Sequence, residues 1–267
     1  MSAAPAHAHI DAETRLVALL GHPVSHSLSP RMQNAAFRAL GLNWAYVAND
    51  VEPQHVQDAL RGLLALGYAG ANVTIPHKSA VIPFCDEIDE VALRAGSVNT
   101  LVIRNGRIHG SSTDGLAVTG AVRAQGQRAL VLGAGGAAKA VAVALAEAGA
   151  DVVVSARRDE QAAALASLCG GSTLAWPPRG AGFGIILNST PVKDALIVAP
   201  SEGQQVVDMA YNRDGSPTAL VAAARAAGCA TVVDGADILA AQGAASFARW
   251  TGLEAPLAVM RAALDLA

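Results

Sequence analysis

Apolar and polar positions alternate between two periods along this chain. Residues 14–20 carry the short apolar run of a buried strand, residues 21–30 break it as a loop, and residues 31–40 repeat apolar side chains at helical spacing. A second strand is predicted over residues 44–47, a helix from Pro53 to Leu66, and a third strand over residues 70–74, stopped by Pro76. Two further strand-like runs, residues 101–104 and 107–109, flank Asn105-Gly106, the dipeptide that suits a two-residue hairpin turn. The first part of the chain therefore reads as alternating β and α units with one antiparallel pair.

A second series begins near Arg128. Residues 129–132 form a short apolar strand, residues 133–136 a glycine turn, residues 137–148 a strong helix and residues 151–155 another strand. Strand-like runs recur at residues 184–187, 205–208 and 231–233, with a helix over residues 218–227 closed by Gly228. Repeated parallel strands joined by helices predict a doubly wound sheet. Residues 238–267 read as two helices separated near Gly252 and Pro256, which on pattern alone pack on either half.

Composition narrows the function classes. The 267 residues are 52% hydrophobic, 15% charged and 4% aromatic, so the core must be built from small aliphatic side chains, as tightly packed α/β layers require. A net charge of −3 without a basic block disfavours nucleic-acid binding. Residues 1–12 hold neither a positive segment nor a long apolar run, and no later run approaches membrane-span length, so an unexported, soluble, cytoplasmic protein is expected. Cys85, Cys169 and Cys229 are too widely spaced for a metal knuckle or a disulfide framework, and no metal site is expected.

Gly133-Ala134-Gly135-Gly136-Ala137-Ala138 lies between a predicted strand and a predicted helix. Gly133 permits the tight turn, Gly135 lets a pyrophosphate approach the backbone, and the helix start offers free N–H groups and positive dipole. The same glycines also suit a plain turn that closes a βα unit. At the end of the next strand an Asp or Glu would bind the ribose hydroxyls of NAD; this chain has Ser155-Ala156-Arg157-Arg158, better matched to the 2′-phosphate of NADP unless both arginines are only solvated surface charges.

A hydride-transfer enzyme needs a group that moves the alcohol proton. Asn72-Val73-Thr74-Ile75-Pro76-His77-Lys78 follows a strand, so Asn72, Thr74 and Lys78 sit at a carboxyl end, where α/β sheets hold ligands. Taken one at a time, the plainer readings are favoured: Lys78 as a solvated surface lysine, Ser27 and Ser29 as a turn and helix cap before Pro30, Asp114 as a helix cap and Asn99 as part of a turn. His26 and His77 read as structural or surface histidines.

These elements, in order, resemble the shikimate dehydrogenase family over nearly the whole chain. The resemblance rests on Gly21-His22-Pro23-Val24-Ser25-His26-Ser27-Leu28-Ser29-Pro30 with Asn34 and Phe37, the segment from Asn72 to Lys78, Gly96-Ser97-Val98-Asn99-Thr100, and Thr113-Asp114-Gly115. It continues through the glycine turn, Asn188-Ser189-Thr190-Pro191, Asp208-Met209-Ala210-Tyr211, and Asp234-Gly235 with Gln242. It implies an NADP-dependent oxidoreductase that interconverts 3-dehydroshikimate and shikimate, as a monomer or homodimer. It also implies an N-terminal α/β substrate domain (residues 1–113 with 238–267, the C-terminal helices returning to it) and a Rossmann-type doubly wound NADP-binding domain (residues 114–237).

Carried over residue by residue, the resemblance implies Lys78 and Asp114 as the catalytic pair, Lys78 handling the proton and Asp114 orienting it and a ring hydroxyl. Ser27, Ser29 and Tyr211 would hold the substrate carboxylate, and Asn72, Thr74, Asn99 and Gln242 the ring hydroxyls. Gly133, Ala134, Gly135, Gly136, Ala137, Arg157, Arg158, Thr190 and Met209 would bind the cofactor. The chain departs from the family pattern at Gln33 (commonly His), Ser112 (Asn), Arg213 (Pro) and Asp237-Ile238 (Gly-Met), the last near the expected nicotinamide position. These departures leave open a quinate or aminoshikimate dehydrogenase paralogue, or a non-catalytic NADP-binding regulatory paralogue. A methylenetetrahydrofolate dehydrogenase shares the two-domain plan by fold analogy, but gives no reason for the Ser27 and Ser29 pair.

Overall fold

The computed structural model describes residues 10–264. The expectations for most of residues 1–12 and for the last three residues of the C-terminal helix lie outside them. In chain order the elements are β1 (Arg15–Gly21), α1 (Ser29–Ala39), β2 (Trp44–Asp50), α2 (Val56–Ala65), β3 (Gly70–Val73), β4 (Glu87–Ile88), α3 (Glu90–Ala95), β5 (Thr100–Arg104), β6 (Arg107–Ser111) and α4 (Asp114–Thr119). They continue as β7 (Arg128–Leu132), α5 (Gly136–Glu147), β8 (Asp151–Ser155), α6 (Asp159–Leu168), β9 (Ser172–Thr173), β10 (Ile185–Asn188), β11 (Gln205–Asp208), α7 (Ala219–Ala226), β12 (Thr231–Val233), α8 (Gly235–Thr251) and α9 (Leu257–Ala262). The described residues divide into two compact units: residues 10–88, 98–111 and 243–264 form the first, residues 89–97 and 112–242 the second, so the boundary cuts α8 between Gln242 and Gly243. Among the described residues no helix is long and apolar enough to cross a membrane.

The first unit is built on a sheet of order β2-β1-β3-β5-β6-β4. β1 pairs in parallel with β2 and β3, whereas β3–β5 and β5–β6 are antiparallel. The hairpin forms where Asn105-Gly106 predicted it, with φ of 52° and 72° at the two turn residues, the left-handed pair that matches strand twist. The helix expected from Pro53 opens instead as a 3₁₀ turn, Pro53–His55, and the α-helical ladder begins at Val56.

Two hydrogen bonds fix the second part of α8 to this unit. The Gln33 amide nitrogen donates to the Gly243 carbonyl at 2.9 Å, and the Trp250 indole N–H donates to the Leu101 carbonyl at 2.9 Å. Phe247 stacks on Phe37 with ring centroids 5.3 Å apart. Asn34 fastens α1 to β2, its side-chain amide pairing with both the N–H and the carbonyl of Tyr46.

The second unit holds six parallel strands in the order β12-β11-β10-β7-β8-β9. Strand order reverses between β7 and β10, the switch point where such sheets receive ligands. Both faces are covered, so the strands are apolar throughout rather than alternating. Ala129 and Val131 join one buried cluster with Ala142, Leu145, Val152 and Val154, while Leu130 and Leu132 join the other with Val153, Ile186, Val206 and Leu220. Each fully buried Val or Leu contributes about 1.5–3 kcal/mol.

Candidate active site

In the first unit the strand ends carry a buried polar network. Asn72, 6% exposed, lies at the third position of β3. Its Nδ2 donates to the Asn99 carbonyl at 3.0 Å, to Ser246 Oγ at 3.0 Å and to Thr100 Oγ1 at 3.2 Å, and its Oδ1 accepts from the Tyr46 hydroxyl at 2.9 Å. The hydrogens of Asn72 are thus engaged within the unit. Thr100 Oγ1 also donates to Asn99 Oδ1 at 2.9 Å and lies 2.8 Å from Ser246 Oγ. Burial pushes the Tyr46 hydroxyl well above its usual pKa, with a hydrogen bond to Ser29 opposing, so Tyr46 stays protonated and remains a donor.

Ser29 is the first residue of α1 and is buried; its N–H donates to Ser27 Oγ at 3.3 Å, which brings the two serines together. The N-cap position itself is Leu28, whose side chain makes no capping bond. Thr74 continues β3, its N–H donating to the Leu20 carbonyl at 2.8 Å, and the Lys78 carbonyl accepts from the Val98 N–H at 2.8 Å. Between them His77 is 1% exposed and its Nε2 donates to the Val51 carbonyl at 2.6 Å, so this ring is a tether for the loop that carries Lys78.

In the second unit, Gly133 opens the turn after β7 at φ 104°, a region L side chains rarely adopt. A Cβ there would meet Ser189 Oγ at 2.9 Å and Thr190 Cγ2 at 3.2 Å, so the turn packs directly on the end of β10. The Gly133 N–H donates to the Ser155 carbonyl at 2.9 Å, tying the turn to the end of β8, and Arg157 and Arg158 follow there, both exposed. Gly135 is the N-cap of α5, with no side-chain cap and nothing within 4 Å of where its Cβ would stand. An uncapped helix start beside open space suits a pyrophosphate, whose oxygens would take the free N–H groups of Gly136 and Ala137.

Asp114 is the first residue of α4 and 4% exposed; the N-cap is Thr113, whose hydroxyl donates to Gln242 Oε1 at 3.4 Å. Lys78 belongs to the first unit and Asp114 to the second. Met209 and Tyr211 follow β11 and are half-buried. The last residue of β11, Asp208, is wholly buried: its Oδ1 accepts from Asn188 Nδ2 and from the Ala210 N–H, each at 2.9 Å, and its Oδ2 from Thr218 Oγ1 at 2.6 Å. Burial raises its carboxyl pKa, those three hydrogen bonds oppose the rise, and Asp234 adds to it. Burial also raises the thiol of Cys85, to about 11 with help from Asp86, and those of Cys169 and Cys229, which makes all three poor nucleophiles.

Sequence reasoning missed Tyr46, Thr100 and Ser246 in the first unit and the roles of Asn188, Asp208 and Thr218 in the second. Ser246 lies 174 positions from Asn72, a separation that leaves no local signal. Asp208 did have one, a charged residue ending an apolar run.

Two family models match the chain, the shikimate dehydrogenase substrate binding domain over residues 19–101 and the shikimate 5′-dehydrogenase C-terminal domain over residues 235–264. The shikimate dehydrogenase (NADP(+)) of Moorella thermoacetica is 46% identical over 94% of this chain and 92% of its own. A crystal structure of a shikimate dehydrogenase in complex with NADP+ superimposes with a TM-score of 0.89 at 36% identity, covering 96% of each chain. The Thermus thermophilus shikimate 5-dehydrogenase in complex with shikimate gives 0.85 at 35% identity, over 94% of this chain and 97% of its own.

Proposed function

The chain belongs to the shikimate dehydrogenase family, and from that membership we propose that it is an NADP-dependent oxidoreductase that reversibly reduces 3-dehydroshikimate to shikimate. One observation carries this reading: the 46% identity runs through almost the full length of both chains, so the substrate half and the cofactor half are supported together. The first unit then receives the substrate and the second the cofactor. NADPH, when bound, supplies the hydride.

Lys78 gives the proton to the carbonyl oxygen as that carbon is reduced, and in the reverse direction takes it from the alcohol. Asp114 orients the lysine and a ring hydroxyl. Ser27, Ser29 and Tyr211 hold the carboxylate through hydroxyl donors, which fix its direction without neutralising its charge. Thr74, Asn99 and Gln242 hold the ring hydroxyls, and Asn72, its amide hydrogens engaged within the unit, contributes Oδ1 as an acceptor. Gly133, Ala134, Gly135, Gly136 and Ala137 cradle the pyrophosphate, Arg157 and Arg158 bind the 2′-phosphate, and Thr190 and Met209 meet the nicotinamide half. The net charge of −3 supports a small-molecule partner over a nucleic acid, and three free thiols support a cytoplasmic setting; we place the enzyme there as a monomer or homodimer.

The test follows NADPH absorbance with shikimate and with quinate, each with NADP+ and with NAD+. The highest kcat/KM is expected for shikimate with NADP+. A higher value for quinate, or no turnover in any combination, overturns the assignment.

A further inference from the structure

We propose that Asp208 is a positioning residue for the nicotinamide half of the cofactor, because its buried carboxylate is the shared acceptor that ties together the segments that carry Thr190 and Met209. The inference rests on the NADP reading above. Arg157 and Arg158 follow β8, on one side of the glycine turn after β7, so the adenosine half lies on that side. The other half must extend over the ends of β10 and β11. Asp208 ends β11, two strands from β7, or about 10 Å at ordinary strand spacing.

A carboxylate only accepts hydrogen bonds. Asn188 directs Nδ2 at Asp208, at 2.9 Å, and at the Val192 carbonyl, at 3.1 Å, which leaves Asn188 Oδ1 facing the other way. That oxygen accepts from the Thr190 N–H at 3.0 Å and from Thr190 Oγ1 at 2.7 Å, and Thr190 Oγ1 in turn accepts from the Val192 N–H at 3.2 Å. The same carboxylate oxygen takes the Ala210 N–H, the peptide directly after Met209. Thr218, which caps α7 by accepting from the Val221 N–H at 3.2 Å, donates to the second carboxylate oxygen. Asp208 is thus the acceptor shared by Asn188, Ala210 and Thr218. An amide in its place must turn its NH2 on one of these donors, and because the Val192 carbonyl and the Thr190 N–H keep Asn188 from turning over, the clash shifts Asn188 or Thr218 and with them the segments that carry Thr190 and Met209.

Asp208→Asn keeps the shape and removes the charge. The experiment titrates wild type and Asp208→Asn calorimetrically with NADP+ and with 2′,5′-ADP, which carries the adenosine and 2′-phosphate but no nicotinamide. Loss of one charge-assisted acceptor should weaken NADP+ about tenfold while 2′,5′-ADP stays within about twofold, and kcat should fall more than KM for shikimate rises. Unchanged NADP+ affinity and kcat, or equal weakening of both ligands, overturns the proposal. If wild type binds neither ligand, the NADP reading itself has failed. Should Asp208→Asn not fold, Thr218→Val, which deletes one donor to the carboxylate, must weaken NADP+ selectively while Thr218→Ser restores it; equal affinity in both also overturns the proposal.

Discussion

The Tyr46 hydroxyl donates to Oδ1 of Asn72 at 2.9 Å, joining β2 to β3 across the intervening β1. Tyr46 also lies against Ser29, so one phenol couples the start of α1 to the polar end of the sheet. Both partners are wholly or almost wholly buried, which makes the bond costly to break.

Tyr46→Phe should therefore lower stability by about 1–3 kcal/mol, the cost of an acceptor left unsatisfied in the core. KM for shikimate should rise as well, through the freed Ser29. Urea unfolding and steady-state kinetics measure the two effects separately.

Lys78→Ala should cut kcat by about 10²- to 10⁴-fold with a much smaller change in KM, as expected of a group that acts in the transition state. Asp114→Asn should also slow turnover, and the double variant should lose less than the product of the two factors. A Lys78→Ala enzyme within a few-fold of wild type would remove the lysine from the mechanism.

Replacing Arg157 and Arg158 together by alanine should erase most of the preference for NADP+ over NAD+, mainly by raising KM for NADP+. Both side chains are exposed, so stability should change by no more than about 0.5 kcal/mol. The readout is the ratio of kcat/KM for the two cofactors.

Gly133→Ala should be destabilised and should lose cofactor affinity. Its φ of 104° strains any L side chain, and the new Cβ would press on Ser189 Oγ and Thr190 Cγ2. Gly135→Ala is the control: nothing lies within 4 Å of that Cβ, so fold stability should hold while pyrophosphate binding weakens. Thermal unfolding with and without NADP+ separates them.

Asp208 sets a pH dependence of stability. Its native pKa is raised, above all by burial, so the folded state holds the proton more tightly than the unfolded chain. The resulting stabilisation is fully present below the unfolded value and is lost as pH rises through the folded one. Asp208→Asn should remove this component, so the variant should gain stability relative to wild type as pH rises from the carboxylate range toward neutrality. Urea midpoints over a pH series check the sign.

The sequence by itself determined the local elements and the chemistry at strand ends. Apolar runs at strand length placed β7, β8 and β11, Asn105-Gly106 placed the hairpin, and the glycine turn marked the start of α5, because each is decided by backbone freedom and side-chain period over a few residues. Short elements such as β4, α3 and β9 escaped it, since two to six residues carry too little pattern. Only the tertiary structure decided that Gln33 and Trp250 hold the second part of α8 on the first unit, that Ser246 closes the network around Asn72, and that Asp208 joins Asn188, Ala210 and Thr218. Those side chains meet because strands far apart in sequence lie side by side. A buried polar atom must find its partner wherever the fold brings one, and the spacing of residues along the chain does not record which partner that is.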